Sequence, residues 1–99
     1  MKTANRLALS GAVTELKALR HTPAGVPVVE FRLRHESEQR EAGTMRKVEV
    51  EIDAIAFEAL ARLLAQAAPG RRLAAAGFLA ARSRRSKRPV LHVTEIEFE

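Results

Sequence analysis

The sequence predicts an all-β domain that carries a single helix. Two observations lead there. Apolar and polar residues alternate in five separate stretches, divided by Gly, Pro and polar segments. One stretch, residues 54 to 68, instead repeats its large apolar residues at a spacing of 3 and 4. At 99 residues, with 46% hydrophobic composition, the chain fits one domain, residues 1–99, with a small core.

The first strand is expected around Leu7, Leu9 and Val13, whose phase continues past Gly11; a glycine inside a strand marks a bend or bulge. Residues 21 to 25, HTPAG, read as a loop. VPVVEFRLRH follows, with Val29, Phe31 and Leu33 on the buried face and Val28, Glu30, Arg32 and Arg34 on the other. Residues 36 to 44, ESEQREAGT, are polar and aperiodic. They read as a loop or hairpin tip, with Gly43 near its end. MRKVEVEID is the clearest strand: Val48, Val50 and Ile52 point inward, Lys47, Glu49 and Glu51 outward.

Phe57, Leu60 and Leu64 form the apolar stripe of a helix of about 14 residues, with Asp53 as N-cap and Pro69-Gly70 as its stop. RRLAAAGFLAAR alternates Leu73, Ala75, Gly77 and Leu79 as a fourth strand, which turns Phe78 outward, where packing under a loop or in a dimer contact is expected ahead of base stacking. In the last stretch, PVLHVTEIEFE, Leu91 and Val93 share one phase and Ile96 and Phe98 the other. A bulge near Thr94-Glu95 is therefore expected. Five strands with a helix between the third and fourth match the five-stranded Greek-key barrel known as the OB-fold.

Charge points to a function. The chain has 17 Lys and Arg against 12 Asp and Glu, and removing Arg82, Arg84, Arg85, Lys87 and Arg88 leaves 12 against 12. The whole excess sits in RSRRSKRP, between the fourth and fifth strands. Like charges so concentrated repel one another, so the segment reads as a polyanion contact rather than a solvated loop. In an OB-fold this connection flanks the face that meets nucleic acid. The chain has no cysteine, which excludes disulfides, thiolate metal sites and Cys nucleophiles. The opening MKTANRLALSG lacks the apolar core of a signal peptide and no run is long enough for a membrane span, so a cytoplasmic, non-membrane protein is expected. His35 with Glu36, Glu38 and Glu41 has no metal-ligand spacing, and Ser10, His92 and Asp53 lack the setting of a catalytic triad. No enzyme activity, cofactor or metal is expected.

NRLALSG at 5–11, HESEQREAG at 35–43, PGRRLAAAGFLA at 69–80 and VLHVTEIEF at 90–98 resemble primosomal replication protein N (PriB-type), a bacterial relative of single-stranded-DNA-binding protein. The resemblance implies a homodimer that binds single-stranded DNA in the primosome at replication restart, in the cytoplasm and associated with the nucleoid. A restart helicase (PriA-type) and a helicase-loader would be its partners. It also implies the nucleic-acid contacts. The family's basic loop matches Arg82, Arg84, Arg85, Lys87 and Arg88, its basic residue after strand 1 matches Arg20, and its basic entry to strand 3 matches Arg46, with Lys47 beside it. The chain departs from the family at Thr44 and Glu49, where an aromatic can stand, and at Glu36, where a basic residue can. With no Trp or Tyr and four Phe, of which Phe31 and Phe57 read as core, binding should lean on charge. The alternative is a factor that bridges primosome proteins with only weak DNA contact.

Overall fold

The computed structural model describes residues 3–99; Met1 and Lys2, part of the opening read for a leader, lie outside the described residues. Six strands and one helix follow in order: β1 (Leu7–Leu16), β2 (Arg20–His21), β3 (Pro27–Glu41), β4 (Thr44–Phe57), α1 (Glu58–Ala65), β5 (Arg72–Ala81) and β6 (Pro89–Phe98). The sheet runs β1-β5-β6-β4-β3-β2, and a further β1–β3 pairing closes it into a barrel. β4 and β6 pair in parallel, from Asp53↔Val90 to Ile55↔His92; the remaining pairings are antiparallel. Apart from the two-residue β2, this is the expected five-stranded OB-fold, with its helix between the third and fourth long strands.

β1 serves two neighbours. Leu7–Ala12 pair with β5 and Ala12–Leu16 with β3. The strand crosses β3 at Gly11, where a Cβ would land on the Arg34 carbonyl, so only glycine fits. The expected bulge in β6 is present: Ala76 pairs with Glu95 and Gly77 with Val93, which leaves Thr94 as the extra residue. Its hydroxyl donates to the Ala76 carbonyl at 3.3 Å. The core holds Val13, Val29, Phe31, Leu33, Ala61, Leu64, Leu73, Leu91 and Val93, with Leu60 and Phe98 packed against it.

Five readings of the sequence need correction. Residues 36 to 41 are strand, not loop, and β3 and β4 form one long hairpin from Val28↔Phe57 to Glu41↔Thr44. Its turn is only Ala42-Gly43, both at positive φ (52° and 80°). This is the I′ geometry, whose twist matches that of the flanking strands and needs no longer polar tip. Val50 is 44% exposed despite its inward phase, because the hairpin runs past the barrel that would have covered it. Val28 is fully buried in the outer phase, between Arg20 of β2 and Phe57 of β4. The helix is eight residues long, since β4 continues through Phe57. Asp53 is therefore a strand residue. Strand passes to helix at Glu58, in the left-handed region (φ 58°), with no side-chain cap.

Candidate nucleic-acid interface

RSRRSKRP is built as an ordered connection. The Arg82 N–H donates to the Arg88 carbonyl at 2.9 Å, closing the segment at its base. Ser83 Oγ accepts from the N–H groups of Arg85 and Ser86 at 3.2 and 3.1 Å, and Ser86 Oγ accepts from the Arg88 N–H at 3.3 Å. The two serines between the basic residues thus satisfy backbone donors that a short exposed turn would leave to water.

The outer phase of the sheet holds the loop's two ends. Asp53 on β4, whose side chain is only 13% exposed, lies 3.6 Å from Arg82 and 3.2 Å from Arg88 and accepts a hydrogen bond from Arg32 Nε at 3.1 Å. That hydrogen bond, and then the charge of Asp53, raise the Arg32 pKa above its ordinary value. Glu30 on β3 takes Arg82 at 3.7 Å and Arg20 at 3.2 Å. Arg32, Asp53, Arg82 and Arg88 line a cleft of about 240 Å³ at the loop's foot. Among the described residues, Arg84, Arg85 and Lys87 enter no ion pair, so the centre of the loop presents three cations to solvent while its ends are anchored.

The eight basic residues singled out in the sequence therefore fall into three groups. Arg20, Arg82 and Arg88 converge on Glu30 and Asp53. Arg84, Arg85 and Lys87 project from the loop beside them. Arg46 and Lys47 stand apart, about 20 Å further along the hairpin at ~3.3 Å per residue, and as strand neighbours they point to opposite faces. Each is already paired, Arg46 with Glu41 at 3.1 Å and Lys47 with Glu49 at 3.2 Å. The hydrogen bond and charge from Lys47 hold the Glu49 carboxyl below its usual range. Glu36 stands directly opposite Glu49, and Arg34 reaches Glu36 at 3.0 Å. The outer face of the hairpin is thus a charge-balanced lattice without an aromatic ring.

Three groups of residues were missed in the sequence. Asp53 and Glu30, the anchors, read as a helix cap and a solvated strand face. The alternation of Glu30 and Arg32 opposite a strand ending in Asp53 was the available signal. Phe57 is 38% exposed rather than core. It lies 6.3 Å from the ring of His92, which in turn lies 5.0 Å from Phe78. His35, weighed as a metal ligand, links strands instead. Its Nδ1 donates to the Ser10 carbonyl at 2.7 Å, which fixes the tautomer so that Nε2 accepts from the Ser37 hydroxyl at 2.8 Å. Gln39 donates to Ser37 at 3.1 Å. The H-x-S-x-Q pattern is therefore a relay along one face of β3 that ends on the edge of β1.

A closed five-stranded barrel with its helix between the third and fourth long strands is an OB-fold. The family model described as "another single-strand binding protein family" matches residues 5–95, which places it in a single-strand-binding class. Replication restart protein PriB of Bordetella pertussis is 46% identical over 92% of this chain and 85% of its own length, and that of Nitrosomonas europaea 40% identical over 92% and 84%. The crystal structure of PriB from Ralstonia solanacearum superimposes with a TM-score of 0.87 at 35% identity, covering 98% of this chain and 100% of that one. The chain belongs to the PriB family of replication restart proteins.

Proposed function

We propose that this chain is a non-enzymatic accessory protein of replication restart that binds single-stranded DNA mainly through the loop between β5 and β6. The observation that carries the reading is the division of labour in that loop: Arg82 and Arg88 fasten it to Asp53 and Glu30, and Arg84, Arg85 and Lys87 are left to meet phosphates. Pre-ordering such a loop lowers the entropy lost on binding. Membership of a single-strand-binding family and relatives named for replication restart support the same role. The family resemblance adds a restart helicase (PriA-type) and a helicase-loader as the proteins assisted, in the bacterial cytoplasm and on the nucleoid. No helix among the described residues is long and apolar enough to cross a membrane.

Homodimer formation has two supports. Residues Leu7–Gly11 of β1 pair on one edge only, with β5. The inward face of the overhanging hairpin leaves Val50 open beside that edge, at the His35 relay. A second reading, a bridging factor with weak DNA contact, is favoured by the self-neutralised hairpin face around Glu36 and Glu49.

The test is a titration of a labelled oligo-dT strand, and of a duplex of equal length, at several salt concentrations. Single-strand preference with log K falling linearly in log salt, at about −0.7 per phosphate neutralised, is the expected result. Binding that is absent or insensitive to salt would favour the bridging reading.

A further inference from the structure

We propose that the row of rings formed by Phe57, His92 and Phe78 is a stacking platform for the bases of single-stranded DNA, an inference that rests on the single-strand-binding function proposed above. His92 stands in the middle, at 5.0 Å and 13° from Phe78 and at 6.3 Å and 23° from Phe57, so the three rings are nearly parallel. They come from three strands held in fixed register. Phe78 on β5 is the partner of His92 on β6, and His92 is also the partner of Ile55, two residues before Phe57 on β4. The row is thus mounted on the barrel wall, the rigid setting that an aromatic contact needs.

Its position ties it to the loop. Phe78 and Ala80 of β5 share the phase that leads to Arg82, just past the strand's end, and His92 and Val90 of β6 share the phase of Arg88, just before the strand begins. The wall thus passes from the aromatic rings, through Ala80 and the buried Val90, to the two guanidinium groups at the foot of the basic loop. A strand whose phosphates rest on Arg84, Arg85 and Lys87 can turn its bases onto this wall. The pairing of a cationic rail with neighbouring aromatic faces is the chemistry of single-strand recognition without base-edge readout.

The two Phe rings of the row stay partly open to solvent, Phe57 while also flanking the buried Val28. Of the four Phe, Phe31 and Phe98 pack with the core, whereas Phe57 and Phe78 remain 38% and 41% exposed. The His92 side chain has no hydrogen-bond partner among the described residues, which leaves its ring nitrogens free for a base edge. The outer face of the β3–β4 hairpin offers no aromatic from Arg32 to Met45, so bases crossing this molecule meet rings here or nowhere on that wall.

The experiment compares wild type with Phe78→Leu, which keeps an apolar side chain but loses the flat ring, and with Phe78→Ala. Each is titrated with oligo-dT and with an abasic strand of equal length, after thermal melts establish folding. The wild type should bind oligo-dT more tightly than the abasic strand. Both variants should lose about five- to a hundred-fold for oligo-dT, with an unchanged salt slope and unchanged abasic affinity. The ring-proton resonances of His92 in the wild type should shift on adding oligo-dT and stay in place with the abasic strand. Equal binding of both strands by wild type, with Phe78→Leu no weaker and His92 unmoved, would overturn the platform, leave the loop contact standing and assign the row to a protein partner. If wild type bound neither strand, the DNA-binding function itself would fall with it.

Discussion

Asp53 decides where the basic loop leaves the barrel. One carboxylate, largely sheltered from water, faces three guanidinium groups from β3 and from both ends of the loop. Charge-assisted hydrogen bonds of this kind are worth about 1.5–3 kcal/mol when one partner is removed, less where solvent screens them. Asp53→Asn is therefore expected to cost about 1–2 kcal/mol, seen as a fall in Tm of roughly 4–16 °C for a domain of this size. The same change releases Arg88 to bind phosphate, while Arg82 keeps its second partner, Glu30. The salt dependence of DNA binding should steepen by about 0.7, the value of one added contact. A shallower slope in the folded variant would mean that the anchor acts by ordering the loop and not by restraining its charge. Ala42 supplies a second residue-scale expectation. It occupies a position with φ 52°, which Ala adopts at a cost and Asn tolerates. Ala42→Asn should stabilise by about 0.5–1 kcal/mol and raise Tm by roughly 2–8 °C. An unchanged Tm would mean that the hairpin tip frays before the barrel melts.

At the scale of elements, alternation was the dependable signal. It gave the five long strands, the inward phase of Leu33, Leu73 and Leu91, and the phase break at Thr94, because side chains of a half-buried strand must alternate. It failed where burial does not follow the strand. Residues 36 to 41 are polar on both faces because both faces of the overhang meet water, so a continuous strand looked like a loop. At the other end of the hairpin, Ala54, Ala56 and Phe57 fit a helical stripe as well as a strand, and only the register with β3 decides. That shift of boundary hid the site: with Asp53 read as a cap and Phe57 as core, neither the loop's anchor nor the aromatic row could be seen. The loop itself was legible because its charge is local. The role of H-x-S-x-Q was not, because its partner is the Ser10 carbonyl, 25 residues earlier in the chain. The overhanging hairpin carries its own prediction. If its open inner face covers a second copy, Val50→Asp places a charge in that contact and should leave a single chain at micromolar concentration, while wild type sediments at about twice 10.9 kDa. Equal masses for the two proteins would move the contact elsewhere.

The whole molecule is a neutral barrel with one cationic extension. The barrel and hairpin pair most of their charges internally, and the net +5 of the chain is carried by the segment between β5 and β6. Long-range attraction of a polyanion should therefore depend on three residues that touch nothing else charged. The most direct test is the slope of log K against log salt for oligo-dT, measured by anisotropy for wild type and for the triple variant Arg84→Ala, Arg85→Ala, Lys87→Ala. Loss of three phosphate contacts should flatten the slope by about 2 and weaken binding regardless of sequence, with Tm unchanged because the anchors Arg82 and Arg88 remain. A triple variant that keeps the wild-type slope would contradict the claim that this loop meets the DNA.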